Sequence, residues 1–505
     1  MYPTLLSLIT YLPLAGAALA FILGRGSIEQ ERTARWLALW TSLVVLALSA
    51  VLWVQFDPTQ PGLQFETRLG WLSDYGISYH TGLDGISLVF ILLTAFVTPL
   101  AIAASWRTVQ TQARTFAVTM LMLETALFGL FSAQDLVLFY VFYEATLIPA
   151  SLMIGVWGGA RRVWASLQFF LFTFGGSLFM LIGLIAMWLH AGTTDIEGLM
   201  QAGFSPLMQG WLLFAFILAF GVKLPLFPLH AWLPDAYSEA PAPASAMLSG
   251  VLSKTGAYGL LRFGVLMFPD AVHAFAPYVL ALGVVAIIYA AFVAFAQTDM
   301  KRVIAYSSFS HMGMIAVGLF TLTAEGIDGA IFQMLSHGVV IAALFFCVSA
   351  VAWRVETQQI SALGGVARQM PVLALLAMLF TMANIGLPGT GSFVGELLVL
   401  MGAIHVSFWV ALLAGATMIM GAVYMLVLYK NVLFGSVKGT ASLLRDLTGA
   451  EIAVLAPLAI VTLWMGIHPS TFTRLFDPVV MQAMHANTHA FAAANSQAVL
   501  HLAAR

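Results

Sequence analysis

Apolar runs of about 20 residues, the length an α-helix needs to cross ~30 Å of hydrocarbon, recur from one end of this chain to the other. Such spacing leaves little choice of fold. Of the 505 residues 61% are hydrophobic and only 8% charged, a composition outside that of water-soluble domains. Fourteen spans are predicted, near 3–23, 35–55, 84–104, 115–132, 136–156, 164–190, 210–229, 243–268, 275–297, 302–322, 327–350, 371–404, 406–429 and 450–469. The short alternating period of a membrane barrel is missing from the sequence, so an all-α membrane protein is expected, each span satisfying its own backbone.

The first span has no Lys or Arg before it and no small-residue cleavage site after it, and is expected to be a retained helix rather than a signal peptide. Odd-numbered loops hold 14 of the 20 Lys and Arg, from Arg25, Arg32 and Arg35 to Lys430, Lys438 and Arg445. Basic residues stay on the cytoplasmic side. Both termini are therefore expected to face the periplasm, across a bacterial inner membrane.

Several chemistries are excluded. Cys347 is the single cysteine and cannot build an iron–sulfur site within the chain. Neither a P-loop nor a strand–GxGxxG–helix unit is present. Electrons and ATP are handled elsewhere, no metal or cofactor is expected here, and nothing points to nucleic acid. His485, His489 and His501 in the Ala-rich tail lack a second ligand type at defined spacing and read as a solvated tail.

Against this apolar background, Glu144, Lys223, Lys254 and Glu396 stand inside predicted spans. A charge at mid-membrane is costly by roughly 2.5 kcal/mol or more and usually lines an ion path. Glu144 is expected to face Lys223, forming a pair whose charge state changes when the partners separate. Lys254, flanked by Ser253 and Thr255, is central, and Glu396 ends the series. His311 and His337 lie between them in chain order and can both donate and accept a proton. Glu124 adds a carboxylate with a modulating or coupling role. Lone histidines and buried ion pairs also serve packing alone, and a scaffold is the bland alternative.

Spans four to eight align in order with spans nine to thirteen. Asp135 pairs with Asp299, Thr173-Phe174-Gly175 with Ser336-His337-Gly338, and Lys223-Leu224-Pro225 with Gly386-Leu387-Pro388, with Gly250 and Gly256 against Gly415 and Gly421. An offset of five helices makes the second unit enter from the opposite side, an inverted repeat. The divisions follow: 1–114 for three N-terminal helices, 115–268 and 269–430 for the repeats, 431–505 for the last helix and tail. Spans seven and twelve carry Pro225, Pro228 and Pro388 beside glycines and are expected to be discontinuous. The segment from His230 to Ser245 reads as a polar, Pro-rich loop capping the path on the cytoplasmic side, and Asp195 with Glu197 as the start of a surface helix on the other side.

The blocks Leu121 to Glu144, Pro225 to Ala246, Gly250 to Arg262, Ser307 to Gly318 and Asn384 to Glu396 resemble the antiporter-like subunits of the proton-pumping NADH:quinone oxidoreductase, respiratory complex I, over nearly the whole length. His230-Ala231-Trp232-Leu233-Pro234-Asp235-Ala236 after Lys223-Leu224-Pro225 is the most specific part. Glu396, where related subunits usually place Lys, and an end after fourteen helices without a long lateral helix narrow the branch. The resemblance implies a proton channel in a membrane arm, with Glu144 and Lys223 on the input side, Lys254 central and Glu396 on the exit side. It implies neighbouring antiporter-like and other membrane-arm subunits as partners, with lipid around them, and FMN, iron–sulfur clusters and quinone held by other subunits. Relatives also occur in cation/proton antiporter complexes and membrane hydrogenases, which leaves the ion and the assembly open at this stage. Gly389-Thr390-Gly391, with few polar residues before Glu396, leaves the exit less defined than the input.

Overall fold

The structure, a computed structural model, describes residues 2–24, 28–60, 62–438 and 444–484; His485, His489 and His501 lie outside them. Twelve helices among these residues are long and apolar enough to cross a membrane. In chain order they are α1 (Tyr2–Leu23), α2 (Ile28–Gln55), α3 (Gly85–Thr108), α4 (Ala113–Ser132), the joined α5 (Leu136–Ala145) and α6 (Leu147–Trp157), α7 (Arg162–Ala191), α9 (Pro206–Lys223), α13 (Pro269–Phe295), α14 (Met300–Phe320), α15 (Ala324–Val355), α19 (Phe408–Leu433) and α20 (Gly449–Ile467). Short α8 (Ile196–Ala202) follows α7, with Asp195 as its N-cap, as expected for the surface helix.

The remaining apolar stretches are segmented. After α9 the chain leaves helical geometry and resumes as α10 (Trp232–Glu239), then α11 (Ala242–Met247) and α12 (Lys254–Leu260). Two π-helical segments, Leu248–Leu252 and Leu261–Val265, bracket α12. Short α16 (Val366–Gln369) precedes α17 (Pro371–Ile385), and α18 (Gly391–Val406) follows a break at Gly386, whose φ is +85°. Helical geometry is thus interrupted after Lys223 and between Ile385 and Gly391, where the prolines and glycines stand.

Two expectations are corrected. Residues 230–245 are mainly helix, with Trp232, Leu233 and Tyr237 buried. Pro234 lies in the first turn of α10, where a missing N–H is harmless; it starts a helix there instead of marking a loop. The fold is also not purely helical. Strands β1 (Gln64–Leu72) and β2 (Ile77–Leu83) form an antiparallel hairpin between α2 and α3, with Arg68 opposite His80.

Helix starts follow local chemistry. Asp135 caps α5 by accepting from the N–H groups of Val137 and Leu138, and Asp299 caps α14 by accepting from Arg302. Around the two caps the backbone bonds match: Leu136 donates to Thr194 and Ile196 to Gln134, while Met300 donates to Gln358 and Ile360 to Thr298. The core sits at α14 and α15, the most buried of the long helices at 94% and 89%. Hydrophobic burial does not hold helices together in lipid, so close packing must. Gly250 and Gly338 provide it where the first π segment crosses α15, since a Cβ on Gly338 would stand 2.6 Å from the Gly250 carbonyl.

Candidate functional site

Lys223 is the last residue of α9 and is fully buried. Its amine donates to Thr146 Oγ1 at 2.9 Å and to the Tyr143 carbonyl at 3.4 Å, and lies 3.5 Å from the centre of the Tyr143 ring. Thr146 stands where α5 gives way to α6. Glu144 is two residues away and faces the hydroxyls of Ser177 and Tyr140, with its Oε1 free of protein partners. The direct Glu144–Lys223 contact expected from sequence is not made: no carboxylate lies within ion-pair distance of Lys223 among the described residues. A hydroxyl and an aromatic face hold the amine in its place, so the pair stands open.

Lys254 is the first residue of α12 and fully buried. A π turn leaves backbone carbonyls misaligned with the helix ladder, and here Ser249 O accepts from the Lys254 amine at 2.6 Å. Ser253 Oγ follows at 3.3 Å, and the same amine donates to His337 Nδ1 at 2.8 Å. Thr255 turns to its own backbone at Leu252. No side-chain hydrogen bond joins Lys223 to Lys254 among the described residues.

Beyond Lys254 polar side chains follow one another closely, with a ring contact rather than a hydrogen bond between the two histidines. The rings of His337 and His311 are 5.2 Å apart. His311 Nδ1 lies 3.3 Å from Glu396 Oε1 and 3.2 Å from Gln333 Nε2, which is 3.4 Å from the same carboxylate. All four residues are buried, none more than 1% exposed. Gln333 was not singled out by sequence; its place on α15, four residues before His337, was the available signal. Glu124 is buried on α4 with both oxygens free of protein partners, and no bond links it to this series.

Two charged clusters flank the helices. On α10, Asp235 accepts from Arg302 at 2.7 Å and Arg161 at 3.2 Å, clamping the half-helix to the starts of α14 and α7. At the hairpin, buried His80 lies 2.6 Å from Asp195 and 2.9 Å from Glu66, and Arg68 is 3.2 Å from Asp195. Burial pushes the His80 imidazole down, but the bonds and charges of Asp195 and Glu66 outweigh it and hold the group above its ordinary value. Burial pushes the Asp195 carboxyl up, and His80 with Arg68 more than reverses this, holding it low.

Buried amines, imidazoles and a carboxylate strung between two broken helices define a membrane subunit of the antiporter-like class. Residues 133–421 match the family model described as NADH:quinone oxidoreductase/Mrp antiporter, TM, and residues 33–129 that of NADH-ubiquinone oxidoreductase chain 4, amino terminus. The chain belongs to this family, as an antiporter-like membrane subunit of NADH:quinone oxidoreductase. It is 46% identical to NADH-quinone oxidoreductase subunit M of Rhodobacter capsulatus over 96% of this chain and 97% of the relative. It is 42% identical to NADH-ubiquinone oxidoreductase chain 4 of Chondrus crispus over 93% and 95%. Its fold matches a chain of respiratory complex I from Thermus thermophilus with a TM-score of 0.87 and 34% identity, covering 95% of this chain and 99% of that one.

Proposed function

We propose that this subunit moves protons across the membrane through Glu144, Lys223, Lys254, His337, His311 and Glu396, driven by redox chemistry in other subunits. The observation that carries this reading is the run from Lys254 to Glu396, in which neighbouring groups are in hydrogen-bond or ring contact and sealed from solvent. An amine or imidazole in such a place can release and regain a proton at modest cost, which Arg cannot. The step from Lys223 to Lys254 runs through water, as polar transfers beyond direct reach do. Glu124 modulates the charge balance without carrying protons.

The architecture we propose has fourteen crossings. Those beyond the twelve long helices are the segmented stretches from α11 to Val265 and from α17 to α18. Repeats 115–268 and 269–430 are inverted copies, with 1–114 preceding and 431–505 following. The matched bonds around Asp135 and Asp299 support this, because each cap sits in the same backbone pattern at the start of its helix. The membrane is a bacterial inner membrane, and the basic loops favour both termini in the periplasm. Partners are neighbouring antiporter-like and other membrane-arm subunits with surrounding lipid, and those subunits hold FMN, iron–sulfur clusters and quinone.

The test is Lys223→Ala in the whole complex, reconstituted in vesicles. Proton uptake coupled to NADH oxidation is lost while the complex still assembles. Wild-type uptake would instead support a scaffold role.

A further inference from the structure

A vestibule of about 430 Å³ opens on the face where the α13–α14 connection and the end of α19 lie, lined among others by Gln297, Thr298, Ser361, Asn431 and Lys438. In the orientation proposed above this is the cytoplasmic face. Tyr424, 2% exposed, forms its inner end. The Tyr424 hydroxyl donates to Ser307 Oγ at 3.2 Å, and Asn384 Nδ2 donates to the same oxygen at 2.8 Å. Three helices, α19, α14 and α17, thus place three polar side chains in a row.

The row ends at the break between α17 and α18. Asn384 is the last but one residue of α17, and its Oδ1 has no protein partner. Glu396 Oε2 also has none, and it comes within 2.6 Å of where a Cβ on Gly386 would stand. Two buried acceptors without donors flank the same break, in a setting where buried polar atoms are almost always partnered. A water molecule donating to both would satisfy the pair. Neither Tyr424, Ser307 nor Asn384 is part of the series from Lys254 to Glu396.

We infer that Glu396 has its own access to the cytoplasmic side, through Asn384, Ser307, Tyr424 and the vestibule. A proton arriving from the vestibule is taken up by the Tyr424 oxygen as that hydroxyl passes its own proton to Ser307 Oγ. Ser307 releases one in turn to water held by Asn384, and the Glu396 carboxylate accepts it. No group on the way keeps a charge, and Asn384 only positions the water. Glu396 is then loaded from one face by this row and connected to Lys254 by the histidines, so it is a loading point as well as a terminus.

This inference rests on the proposed role of Glu396, and its test separates the two. In the whole complex with Cys347→Ala, Tyr424→Cys is exposed to a membrane-impermeant cationic thiosulfonate. The account expects modification of this chain in vesicles presenting the cytoplasmic face and protection in vesicles of opposite orientation. Modification only from the periplasmic face, or from neither, overturns it. Tyr424→Phe and Ser307→Ala provide the second reading: each slows coupled proton uptake several-fold, more strongly as cytoplasmic pH rises and protons become scarce. A loss independent of pH, or no loss, contradicts the route. If Glu396→Gln abolishes uptake while Tyr424→Phe and Ser307→Ala leave it intact, the proposed function stands and this route alone falls.

Discussion

His311 and Glu396 share a buried contact in which Nδ1 of the imidazole lies 3.3 Å from the carboxylate and 3.2 Å from the amide nitrogen of Gln333. Protonated, Nδ1 donates to Glu396; deprotonated, it accepts from Gln333. In either state Nδ1 keeps a partner without movement of the backbone, as the proposed relay requires.

From this contact the first prediction follows. Glu396→Gln and His311→Gln each slow coupled proton uptake by about tenfold or more, equivalent to at least ~1.4 kcal/mol. The double variant is little slower than either single one, because the two act as a unit. Measured additivity would place them on separate paths.

Gly386 and Gly389 provide an internal control. Both have left-handed backbone, φ +85° and +92°, so an alanine at either is strained by roughly 1–2 kcal/mol. A Cβ at 386 also meets Glu396 Oε2, while one at 389 meets open space. Gly386→Ala therefore impairs uptake well beyond Gly389→Ala, although the backbone strain is the same in both. Equal uptake in the two would show that the position of Glu396 does not matter.

The hairpin carries a pH signature. With its folded pKa raised, His80 stabilises the hairpin fully below its unfolded value of about 6.5, and this contribution fades as pH rises through the folded value. The difference in unfolding temperature between wild type and His80→Gln is expected to be largest near pH 6 and to shrink toward alkaline pH. A difference that grows with pH would reverse the assignment.

The clamp on α10 is uneven. Arg302 is 27% exposed and 2.7 Å from Asp235, whereas Arg161 is 57% exposed and 3.2 Å away. Exposed pairs contribute little, so thermal denaturation of the complex should be lowered more by Arg302→Ala than by Arg161→Ala. The opposite order would mean that the clamp acts mainly through the start of α7.

Charge in an apolar run is legible without a structure, because the cost of burying it singles out the position. Lys223, Lys254, His311, His337 and Glu396 were visible in this way, as were the breaks at Pro225 and Gly386. What was hidden depends on tertiary placement. Lys223 leans on Thr146 and Tyr143 rather than on Glu144 because α5 ends between them, which residue type does not reveal. The π turns around Lys254 have no signal in Leu248–Leu252 or Leu261–Val265; the first packs against α15 and the second against α9. The hairpin leaves little trace in the sequence because β1 and β2 alternate weakly, most of β1 facing outward. Tyr424, Ser307 and Asn384 are ordinary in composition and become a row only when three helices meet.

The most direct measurement is the number of protons moved per NADH oxidised by complex carrying Lys254→Met, a variant similar in length that cannot hold the charge. The account predicts that this ratio, or the turnover coupled to it, falls sharply while the assembled complex is recovered in normal amount. An unchanged ratio at wild-type turnover would contradict it, because the path from Lys223 to Glu396 would then not pass through the amine that touches His337.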